Sequence, residues 1–355
     1  MNSHPFLTCD VLVIGAGPAG STAARFAAQK GASVILLERR ETVGQPVRCA
    51  EYVPLPVDRY LDLNRPGLKV QGVRAMETFI PGRPVKETTV PGLIINRDRF
   101  DQELADLALM AGSTLLTGCQ AAQREDDQVV ARGEKGLIRI RSRVIIGADG
   151  PSSQVRRWMG ISQQPCLVAA QYRVLLKTPL DRTQIYFHPY IRGGYGWLFP
   201  KRDQANLGLG IEPSSNRQLM PLLKQFKEEL VQKGLIEEKI VNQAGGLVPV
   251  GGLTLIHKEN MILAGDAAGT CHPITGAGVG NALISGEIAG KAAAEAVRQG
   301  NLNPLQEYQK ELTGLLGHSL NHGTEKRKRM MDHWDEADFS ETIRRSWIAF
   351  KDYYR

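Results

Sequence analysis

Three glycine-rich motifs contain the residues of this chain that are best suited to bind an anionic nucleotide. They are GAGPAG at residues 15–20, GADG at residues 147–150 and AGDAAG at residues 264–269. In the first motif, Gly15 allows a tight turn, Gly17 lets the backbone approach a pyrophosphate, and Gly20 permits close packing of helix on strand. One such motif is weak evidence, but three in this order indicate a single dinucleotide-binding fold.

The elements around the first motif are those that a nucleotide site requires. An apolar run at residues 9–14 is typical of a parallel strand that is buried on both faces. The alanine-rich stretch after Pro18 predicts a helix whose positive end and free N–H groups point at the phosphates. A second apolar strand, residues 33–37, ends at Glu38, which is placed to accept hydrogen bonds from a ribose.

The other two motifs favour FAD over NAD as the cofactor. Asp266 ends an apolar strand at the carboxyl edge of the sheet, where its carboxylate can accept hydrogen bonds from ribityl hydroxyls. The helix that begins near Gly278 offers N–H groups to the flavin carbonyl edge and would stabilise negative charge on the reduced ring. Asp149 also follows a strand; it either helps to anchor the nucleotide region or serves only its own turn.

Composition narrows the class of protein. The chain has 355 residues and a net charge of +7, with basic residues scattered rather than striped, which argues against a nucleic-acid-binding protein. Five cysteines without paired spacing argue against a disulfide framework or a zinc site, and no histidine has a second ligand at metal spacing. Residues 1–8 are too short and polar for a signal peptide, and no apolar run approaches the ~20 residues that span a bilayer. We expect a cytoplasmic protein.

The chain-wide pattern predicts an α/β fold with a discontinuous Rossmann-like FAD-binding domain, an inserted, mainly antiparallel β-sheet substrate domain and C-terminal helices. Residues 44–56 cannot form a regular helix, because the segment contains prolines. The elements predicted after it are paired strands at 70–95, a helix at 99–111, a meander at 120–146, strands at 165–211, a helix at 216–233, a strand at 261–263 and a helix from Gly278. We assign residues 1–70, 96–160 and 256–300 to the FAD-binding domain, 71–95 and 161–255 to the substrate domain, and 301–355 to the C-terminal region.

Further segments carry a resemblance to a known family. YGWLFPK at residues 195–201 matches the Tyr-x-Trp-x-Phe-Pro-Lys signature of the geranylgeranyl reductase family, and Gly208 and Gly210 follow at the usual distance. QPVRCAE at residues 45–51 and NRDRFD at residues 96–101 resemble two further segments, although Asn96 replaces the usual acid. Over roughly residues 8–320 the chain therefore resembles this family, which lies within the p-hydroxybenzoate-hydroxylase-like flavoproteins.

The resemblance implies that reduced FAD hydrogenates isolated double bonds of an isoprenoid chain, with hydride from flavin N5 and a proton from an acid or water. An unactivated alkene must be held against N5 in a dry, apolar slot. Tyr195, Trp197 and Phe199 alternate along one strand and share a face, so they either floor such a slot or belong to ordinary sheet core. Lys201 either holds an anionic head group or is a solvated strand end.

Cys49 is the other catalytic candidate, because it lies just after the ribose acid and could reach the reactive face of the flavin. Arg48 beside it could contact FAD phosphates or lower the thiol pKa; a buried, inert cysteine is the alternative. The catalytic candidates are therefore Cys49, Tyr195, Trp197 and Phe199. The candidates for FAD contact lie in or beside the motifs: Gly15, Gly17, Ala19, Gly20, Glu38, Arg39, Arg48, Cys49, Arg97, Asp149, Gly150, Gly265, Asp266, Pro273, Gly276, Gly278 and Val279. We expect no metal site.

The expected partners follow from the same resemblance. They are a prenyl-lipid or prenylated small-molecule substrate and an electron donor, either ferredoxin or NADPH, since no separate NAD(P)-binding unit is visible. Three alternatives share the FAD motifs: a flavin monooxygenase, a quinone-linked flavoprotein, and a lipid-binding protein in which FAD is structural.

The C-terminal residues are relevant to whether the protein binds its substrate at a membrane surface. A basic run at residues 326–329 precedes Phe339, Ile343, Trp347, Phe350 and Tyr354, whose spacing predicts one face of a helix. That face either packs on the body of the protein or lies at an anionic membrane surface.

Overall fold

A computed structural model of the chain describes residues 5–54, 57–134, 136–214 and 218–355. Three predictions fall partly outside these ranges: the polar segment at 1–8, the end of the proline-containing segment at 44–56, and the start of the helix at 216–233. The described elements, in chain order, are β1 (Phe6–Ile14), α1 (Pro18–Gln29), β2 (Val34–Leu37), β3 (Tyr52–Pro54), β4 (Lys69–Phe79), β5 (Lys86–Ile95), α2 (Arg97–Met110), β6 (Thr114–Leu116), β7 (Gln120–Glu125), β8 (Gln128–Gly133), β9 (Gly136–Gly147), α3 (Gln154–Trp158), β10 (Cys166–Leu176), β11 (Arg182–Tyr186), β12 (Gly196–Lys201), β13 (Gln204–Ile211), α4 (Leu219–Gln232), β14 (Ile236–Pro249), β15 (His257–Lys258), β16 (Met261–Leu263), α5 (Val279–Gln299), α6 (Asn303–Asp332) and α7 (Phe339–Ser346).

The first sheet is built around the apolar strand that precedes the GAGPAG motif. Its order is β15-β16-β9-β1-β2-β6, with β7 and β8 continuing from β9, and its central pairs are parallel. The last four residues of β1 are buried, as a strand covered on both faces requires. This confirms the predicted Rossmann-like sheet and places the ends of β1, β9 and β16, with their three glycine motifs, at one edge.

Helices α1 and α5 pack on this sheet through glycines that bring their backbones close together. A Cβ atom at Gly286 would lie 2.3 Å from the carbonyl oxygen of Ala19, and one at Gly290 would lie 2.2 Å from that of Ala23. Both glycines must therefore remain glycine for the two helices to approach this closely. The close packing fixes the helix that follows the first motif against the helix that follows the third.

The second sheet is the predicted insertion, with the order β14-β10-β13-β12-β11-β4-β5-β3. All neighbouring pairs are antiparallel except β11 with β4. One strand departs from the predicted domain bounds: Tyr52–Pro54 was assigned to the FAD-binding domain but pairs with β5 in the second sheet. Its three residues carry too little periodicity to show, from the sequence, which sheet they join.

The two faces of the second sheet have different covers. Its outer face carries Leu198, Leu207 and Leu209, which are fully buried and pack with Phe226 of α4. The inner face carries the three aromatic residues of the signature segment and is only half-buried at those positions. The sheet therefore presents a closed core on one side and a partly open surface on the other.

The C-terminal aromatic residues correct one sequence-based prediction. They do not lie on one continuous helix, because α7 ends at Ser346, Trp347 is extended and a short 3₁₀ turn covers Lys351–Tyr354. Trp347 and Ile343 are buried in the same apolar cluster as the inner face of the second sheet, whereas Tyr354 is exposed. Packing on the body of the protein, the first of the two interpretations, is what the structure shows for these buried residues.

Candidate functional site

The GAGPAG loop forms a backbone cradle at the end of β1. Gly15 has a φ of +100°, and a Cβ atom at Gly20 would lie 1.8 Å from the Gly15 carbonyl oxygen, so both positions require glycine. Gly17 differs, since a Cβ atom there would meet no atom within 4 Å. It is also the N-cap of α1, where no side chain caps the helix. The loop thus presents uncapped N–H groups to open space, as a pyrophosphate site requires.

Glu38 closes this loop from the end of β2. Its Oε2 accepts a hydrogen bond from Ala16 N at 2.9 Å, and its Oε1 accepts one from Arg40 N at 3.0 Å. Each carboxylate oxygen has a further lone pair, so the side chain can still accept a ribose hydroxyl. Glu38 therefore lies where the sequence placed it.

Three arginines surround the end of β2, and one of them was not predicted. Arg39 and Arg48 are exposed, whereas Arg40 is half-buried between them and Glu38. Burial, together with the charges of Arg48 and Arg39, lowers the pKa of Arg40. The cluster makes this edge of the nucleotide site positive, which favours a diphosphate. Arg40 was missed because its neighbours in sequence are equally basic.

Asp149 of the second motif is engaged by its own helix. Its carboxylate accepts hydrogen bonds from Ser153 Oγ at 2.5 Å, Gln154 N at 2.6 Å and Val155 N at 3.2 Å. These are the contacts of a turn aspartate at a helix start, the second of the two interpretations that the sequence left open. The motif reaches the nucleotide loop through backbone instead, because the Ala148 carbonyl oxygen lies 2.4 Å from where a Gly15 Cβ would be. Gly150, with a φ of +80°, has open space around its Cα.

The third motif places Asp266 beside the start of α5. A Cβ atom at Gly278, the N-cap of α5, would lie 3.4 Å from Asp266 Oδ1, and no side chain caps this helix. Burial raises the pKa of Asp266 to about 6, while the charge of Arg97 acts to lower it. A carboxylate with this environment gains from donors such as ribityl hydroxyls. The glycines at 265 and 276 have positive φ, and Pro273 and Val279 flank the same turn.

Cys49 and Arg97 meet next to this carboxylate. Arg97 forms a two-point ion pair with Asp101, with both N–O distances at 3.0 Å, and its guanidinium also interacts electrostatically with Cys49. Burial raises the pKa of the Cys271 thiol, and the nearby Asp266, Cys166 and Cys49 raise it further. The sequence analysis singled out neither Cys166 nor Cys271. Only the tertiary fold brings them close to Asp266, so no sequence signal could have singled them out.

The signature aromatics share the inner face of the second sheet, as predicted from their alternation. Tyr195 Oη donates a hydrogen bond to the Thr275 carbonyl oxygen at 2.5 Å, which ties the strand to the loop before α5. The ring centroids of Tyr195 and Trp197 are 6.2 Å apart, and those of Phe199 and Tyr52 are 5.8 Å apart. Among the described residues, the buried Trp197 Nε1 has no hydrogen-bond partner. The row of aromatic residues thus runs from the loop before α5, which Tyr195 contacts, to β3, which Phe199 contacts.

A hollow lies beside the aromatic row, because the neighbouring strands carry small residues there. On this face Gly208 of β13 and Ala244 of β14 both pair with Gln171 of β10, and Gly210 of β13 and Gly246 of β14 both pair with Ala169 of β10. A Cβ atom at Gly208 would lie 2.3 Å from the ring of Trp197, so the indole occupies the space that this glycine leaves. The hollow, the Gln171 amide and the aromatic row form the inner face of the second sheet, and Tyr195 joins this face to the loop before α5 at the carboxyl edge of the first sheet.

The C-terminal region supplies a wall of this surface that the sequence did not predict. The ring centroid of Trp347 lies 5.3 Å from that of Tyr195 and 5.1 Å from that of Phe187. Trp347 Nε1 donates a hydrogen bond to Thr78 Oγ1 at 3.0 Å on the inner face of β4. Its neighbour in space, Phe187, was missed because it follows β11 without any motif.

Lys201 corrects a further prediction. Its ammonium group is neither a solvated strand end nor free for a head group, because it lies 2.8 Å from both carboxylate oxygens of Glu51. Glu51 is itself buried and also pairs with Arg173. The sequence showed Glu51 only as the last residue of a segment that resembled a family motif, since its partners lie more than a hundred residues away.

These residues fit an FAD cofactor on grounds of geometry. The uncapped start of α1 points at open space around Gly17, and the uncapped start of α5 at Gly278 lies beside Asp266. Between them lie acceptors at Glu38 and Asp266, as the hydroxyls of a ribose and a ribityl chain require. Uncapped helix N-termini at both ends suit an anionic pyrophosphate and a flavin carbonyl edge.

Comparisons with known proteins agree with this geometry. Residues 10–47 match the family described as FAD dependent oxidoreductase, and residues 166–248 match the geranylgeranyl reductase catalytic domain. A digeranylgeranylglycerophospholipid reductase of Methanosarcina acetivorans is 35% identical over 335 residues, which cover 88% of this chain and 82% of that protein. The same enzyme of Thermoplasma volcanium is 33% identical over 84% of this chain and 81% of its own length.

Solved structures extend the comparison to the fold. A geranylgeranyl bacteriochlorophyll reductase-like protein from Thermoplasma acidophilum superposes with a TM-score of 0.83 at 27% identity, covering 96% of this chain and 97% of that one. Aklavinone-11 hydroxylase, solved with FAD and aklavinone, has a TM-score of 0.72 at 20% identity over 97% of this chain and 73% of its own, and shares the fold.

Proposed function

This chain belongs to the geranylgeranyl reductase family of FAD-dependent oxidoreductases, and we propose that its substrate is a prenyl lipid whose geranylgeranyl chains it hydrogenates at isolated C=C bonds. The observation that carries the proposal is the row of small residues, Gly208, Gly210 and Ala244, which lies with Gln171 beside the aromatic row. It faces the edge that holds the three glycine motifs, so a flexible isoprenoid chain bound there would lie against the cofactor.

We assign the cofactor to the first sheet and the substrate to the inner face of the second. Gly17 and the start of α1 would hold the pyrophosphate, Glu38 the ribose, and Asp266 the ribityl chain. Reduced FAD, when bound, would supply the hydride, and an acid or water would supply the proton that completes the addition across the double bond. The backbone of Ala148 and Asp149 supports the loop from behind, because a Gly15 Cβ would lie 2.4 Å from the Ala148 carbonyl oxygen and 3.0 Å from Asp149 Cα, whereas Gly150 has open space around it.

The residues of the second sheet orient the alkene and exclude water. Tyr195, Trp197 and Phe199 offer flat apolar surfaces on one side, and Trp347 closes the end near Tyr195. An isolated alkene has no carbonyl group that the protein can polarise. The rate of its reduction therefore depends on how closely the double bond is held at the reacting position. Cys49 lies at the border of this surface, because Gln171 of the inner face donates a hydrogen bond to its carbonyl oxygen at 3.0 Å.

The decisive experiment uses the holoenzyme without oxygen. Protein reduced by dithionite is mixed with digeranylgeranylglycerophospholipid, and flavin absorbance is followed while the lipid is analysed by mass spectrometry. We expect flavin reoxidation together with a gain of two hydrogens for each bond reduced. Reoxidation by a quinone alone, with an unchanged lipid mass, would replace this proposal by an electron-carrier function. In a parallel assay with oxygen and an aromatic compound, hydroxylation of that compound would replace the proposal by a monooxygenase function.

We propose that the donor reduces FAD in place, without a second dinucleotide-binding unit in the described part of the chain. That part contains one parallel sheet with a GAGPAG-type loop. Either a ferredoxin or NADPH satisfies this requirement. Anaerobic flavin reduction rates measured with each donor, at equal reducing equivalents, identify which one serves the enzyme.

Contact with a membrane surface is a separate proposal. No helix in the described residues is both long and apolar enough to span a bilayer. Within the basic run, Lys326 and Arg327 are buried, whereas Lys328 and Arg329 are exposed and can meet anionic head groups. Sedimentation with anionic vesicles should therefore weaken in Lys328→Glu/Arg329→Glu, and binding unchanged by this charge reversal would exclude the run as the contact.

A further inference from the structure

Glu51 is a buried carboxylate that hydrogen-bonds to side chains from three strands of the second sheet. Its side chain is 1% exposed, and it accepts hydrogen bonds from Lys201 Nζ at 2.8 Å, Arg173 at 2.6 Å and Asn206 Nδ2 at 3.1 Å. These partners come from the adjoining strands β12, β10 and β13. A fourth donor, the backbone N of Arg97 at the start of α2, lies 3.2 Å from Glu51 Oε1. One carboxylate thus joins the inserted sheet to the helix that carries Arg97.

The backbone of Glu51 holds the cysteine segment in the same way. Its N–H donates to the Cys49 sulfur at 3.2 Å, and its carbonyl oxygen accepts from Ile95 N at 3.0 Å. Asn206 Nδ2 also donates to the Ala50 carbonyl oxygen at 2.9 Å. Glu51 has a φ of +68°, an unfavourable value for a residue with a side chain, so this conformation depends on the surrounding contacts.

The consequence of this network is a fixed distance between two parts of the site. Lys201 follows Phe199 by two residues on the aromatic strand, and Cys49 precedes Glu51 by two residues. The Cys49 sulfur accepts a hydrogen bond from Glu51 N at 3.2 Å, and the Arg97 guanidinium interacts electrostatically with it. Buried ion pairs of this kind are weak evidence for stability, because apolar residues of similar volume often stabilise a protein as well. Their specific effect here is to orient the thiol and the end of the aromatic strand.

We propose that Glu51 is a positioning residue of alkene reduction, which sets the Cys49 thiol and the aromatic strand at a fixed separation across the substrate surface. The inference deepens the proposed function and rests on it. The side-chain hydrogen bonds of Glu51 go to Lys201, Arg173, Asn206 and Arg97, and its N–H bonds to the Cys49 sulfur, so it acts through Lys201 and Cys49.

The test compares Glu51→Gln with a matched buried pair elsewhere. Glu212 pairs with Arg327 between β13 and α6, with both side chains largely buried, and serves as the control Glu212→Gln. FAD content and melting temperature are measured first for both holoenzymes. Reoxidation by the prenyl lipid is then separated into the rate at saturating lipid and the half-saturating concentration.

We expect Glu51→Gln to retain FAD and to lose about tenfold or more in the saturating rate, with a half-saturating concentration changed less than about threefold. Glu51→Asp, which keeps the charge, should recover part of the rate. A saturating rate no lower than that of Glu212→Gln would overturn the proposal, as would a loss explained by missing FAD. Should Glu51→Gln not fold, Lys201→Met removes one partner and takes its place in the comparison.

A second readout does not depend on the reaction. Alkylation of Cys49 by a maleimide, followed by peptide mass spectrometry, reports the orientation of its thiol in holoenzyme and in FAD-free protein. We expect severalfold faster labelling in Glu51→Gln than in wild type and no change in Glu212→Gln. If the wild type reduces no prenyl lipid, the proposed function fails while this labelling still shows whether Glu51 positions Cys49. Unchanged labelling would overturn the positioning role itself.

Discussion

The two halves of the site differ in whether backbone groups or side chains form most of their surface. The edge of the first sheet that receives the cofactor is formed largely by backbone: glycine turns, uncapped helix starts and two carboxylates. The inner face of the second sheet is formed by side chains, with Trp197 and Tyr195 beside a hollow left by glycine and alanine. Backbone groups recognise what all dinucleotides share, whereas side-chain shape decides which substrate fits. Variants should therefore separate cofactor retention from alkene reduction.

The largest expected effect is on the backbone side. Gly17→Val places a branched side chain in the open space that we assign to the pyrophosphate, with a φ of −75° that valine tolerates. We expect FAD affinity to fall about 100-fold or more, close to 3 kcal/mol, with little change in the fold of the apoprotein. Flavin retained after gel filtration measures the effect. Gly314→Val, also in open space but on α6, is the control and should keep its flavin.

On the side-chain side, Trp197→Ala should spare the cofactor and impair the lipid half-reaction. Removing the indole beside Gly208 leaves the alkene poorly held, so we expect reoxidation by prenyl lipid to slow on the order of 10- to 100-fold. Reduction by dithionite should be nearly normal, because that step does not use the apolar surface. Stopped-flow absorbance of the two half-reactions distinguishes these effects.

The neighbouring Leu198 is the control for Trp197, because it points to the closed outer face under α4. Leu198→Ala should cost about 2–5 kcal/mol of stability without changing the ratio of the two half-reactions. Equal effects on both half-reactions in Trp197→Ala, or none on either, would mean that the aromatic row is sheet core.

Asp266 tests whether the backbone cradle needs its carboxylate. Asp266→Ala loses a charge-assisted contact of about 1.5–3 kcal/mol, so FAD affinity should fall about tenfold or more. Equilibrium dialysis of FAD against the apoprotein measures it. Unchanged affinity would remove Asp266 from the cofactor site and assign its motif to the fold alone.

The same residue makes the apoprotein sensitive to pH. Burial raises the pKa of Asp266 to about 6, so the folded chain binds this proton more tightly than the unfolded chain, whose pKa is near 4. Stability conferred by the neutral form is therefore present at low pH and lost as pH rises from about 4 to above 6. Relative to Asp266→Asn, the wild-type apoprotein should lose on the order of 3 kcal/mol across this range, since one pKa unit corresponds to about 1.4 kcal/mol. Urea unfolding at each pH measures the difference, and parallel curves would contradict the assignment.

Among these variants, Cys49→Ala should have the smallest effect, which is confined to the rate of lipid reduction. The thiol lies at the border between the two halves, held by Arg97 and by the backbone of Glu51. If it lines the reaction site, its loss should slow lipid reduction severalfold while FAD binding and folding remain normal. Cys9→Ala, remote in sequence and at the start of β1, serves as the cysteine control. Normal turnover in Cys49→Ala would place Cys49 among the inert cysteines.

The sequence by itself determined the nucleotide half of the protein. Gly15, Gly20 and Glu38 act through local turns and short-range packing, so their spacing along the chain already specifies the loop that the structure shows. Alternation likewise placed Tyr195, Trp197 and Phe199 on one face, because successive side chains of a strand point to opposite sides.

Only the tertiary structure determined which other residues these side chains contact. The sequence could not show that Lys201 is neutralised by Glu51, that Asp149 serves its own helix, or that Trp347 closes the aromatic surface. Nor could it show that the small residues of β10, β13 and β14 line up into a hollow, because register between strands far apart in sequence sets that alignment. Local geometry is encoded by neighbours along the chain, whereas the charge partners and the shape of the substrate surface arise from contacts that only the folded chain brings together.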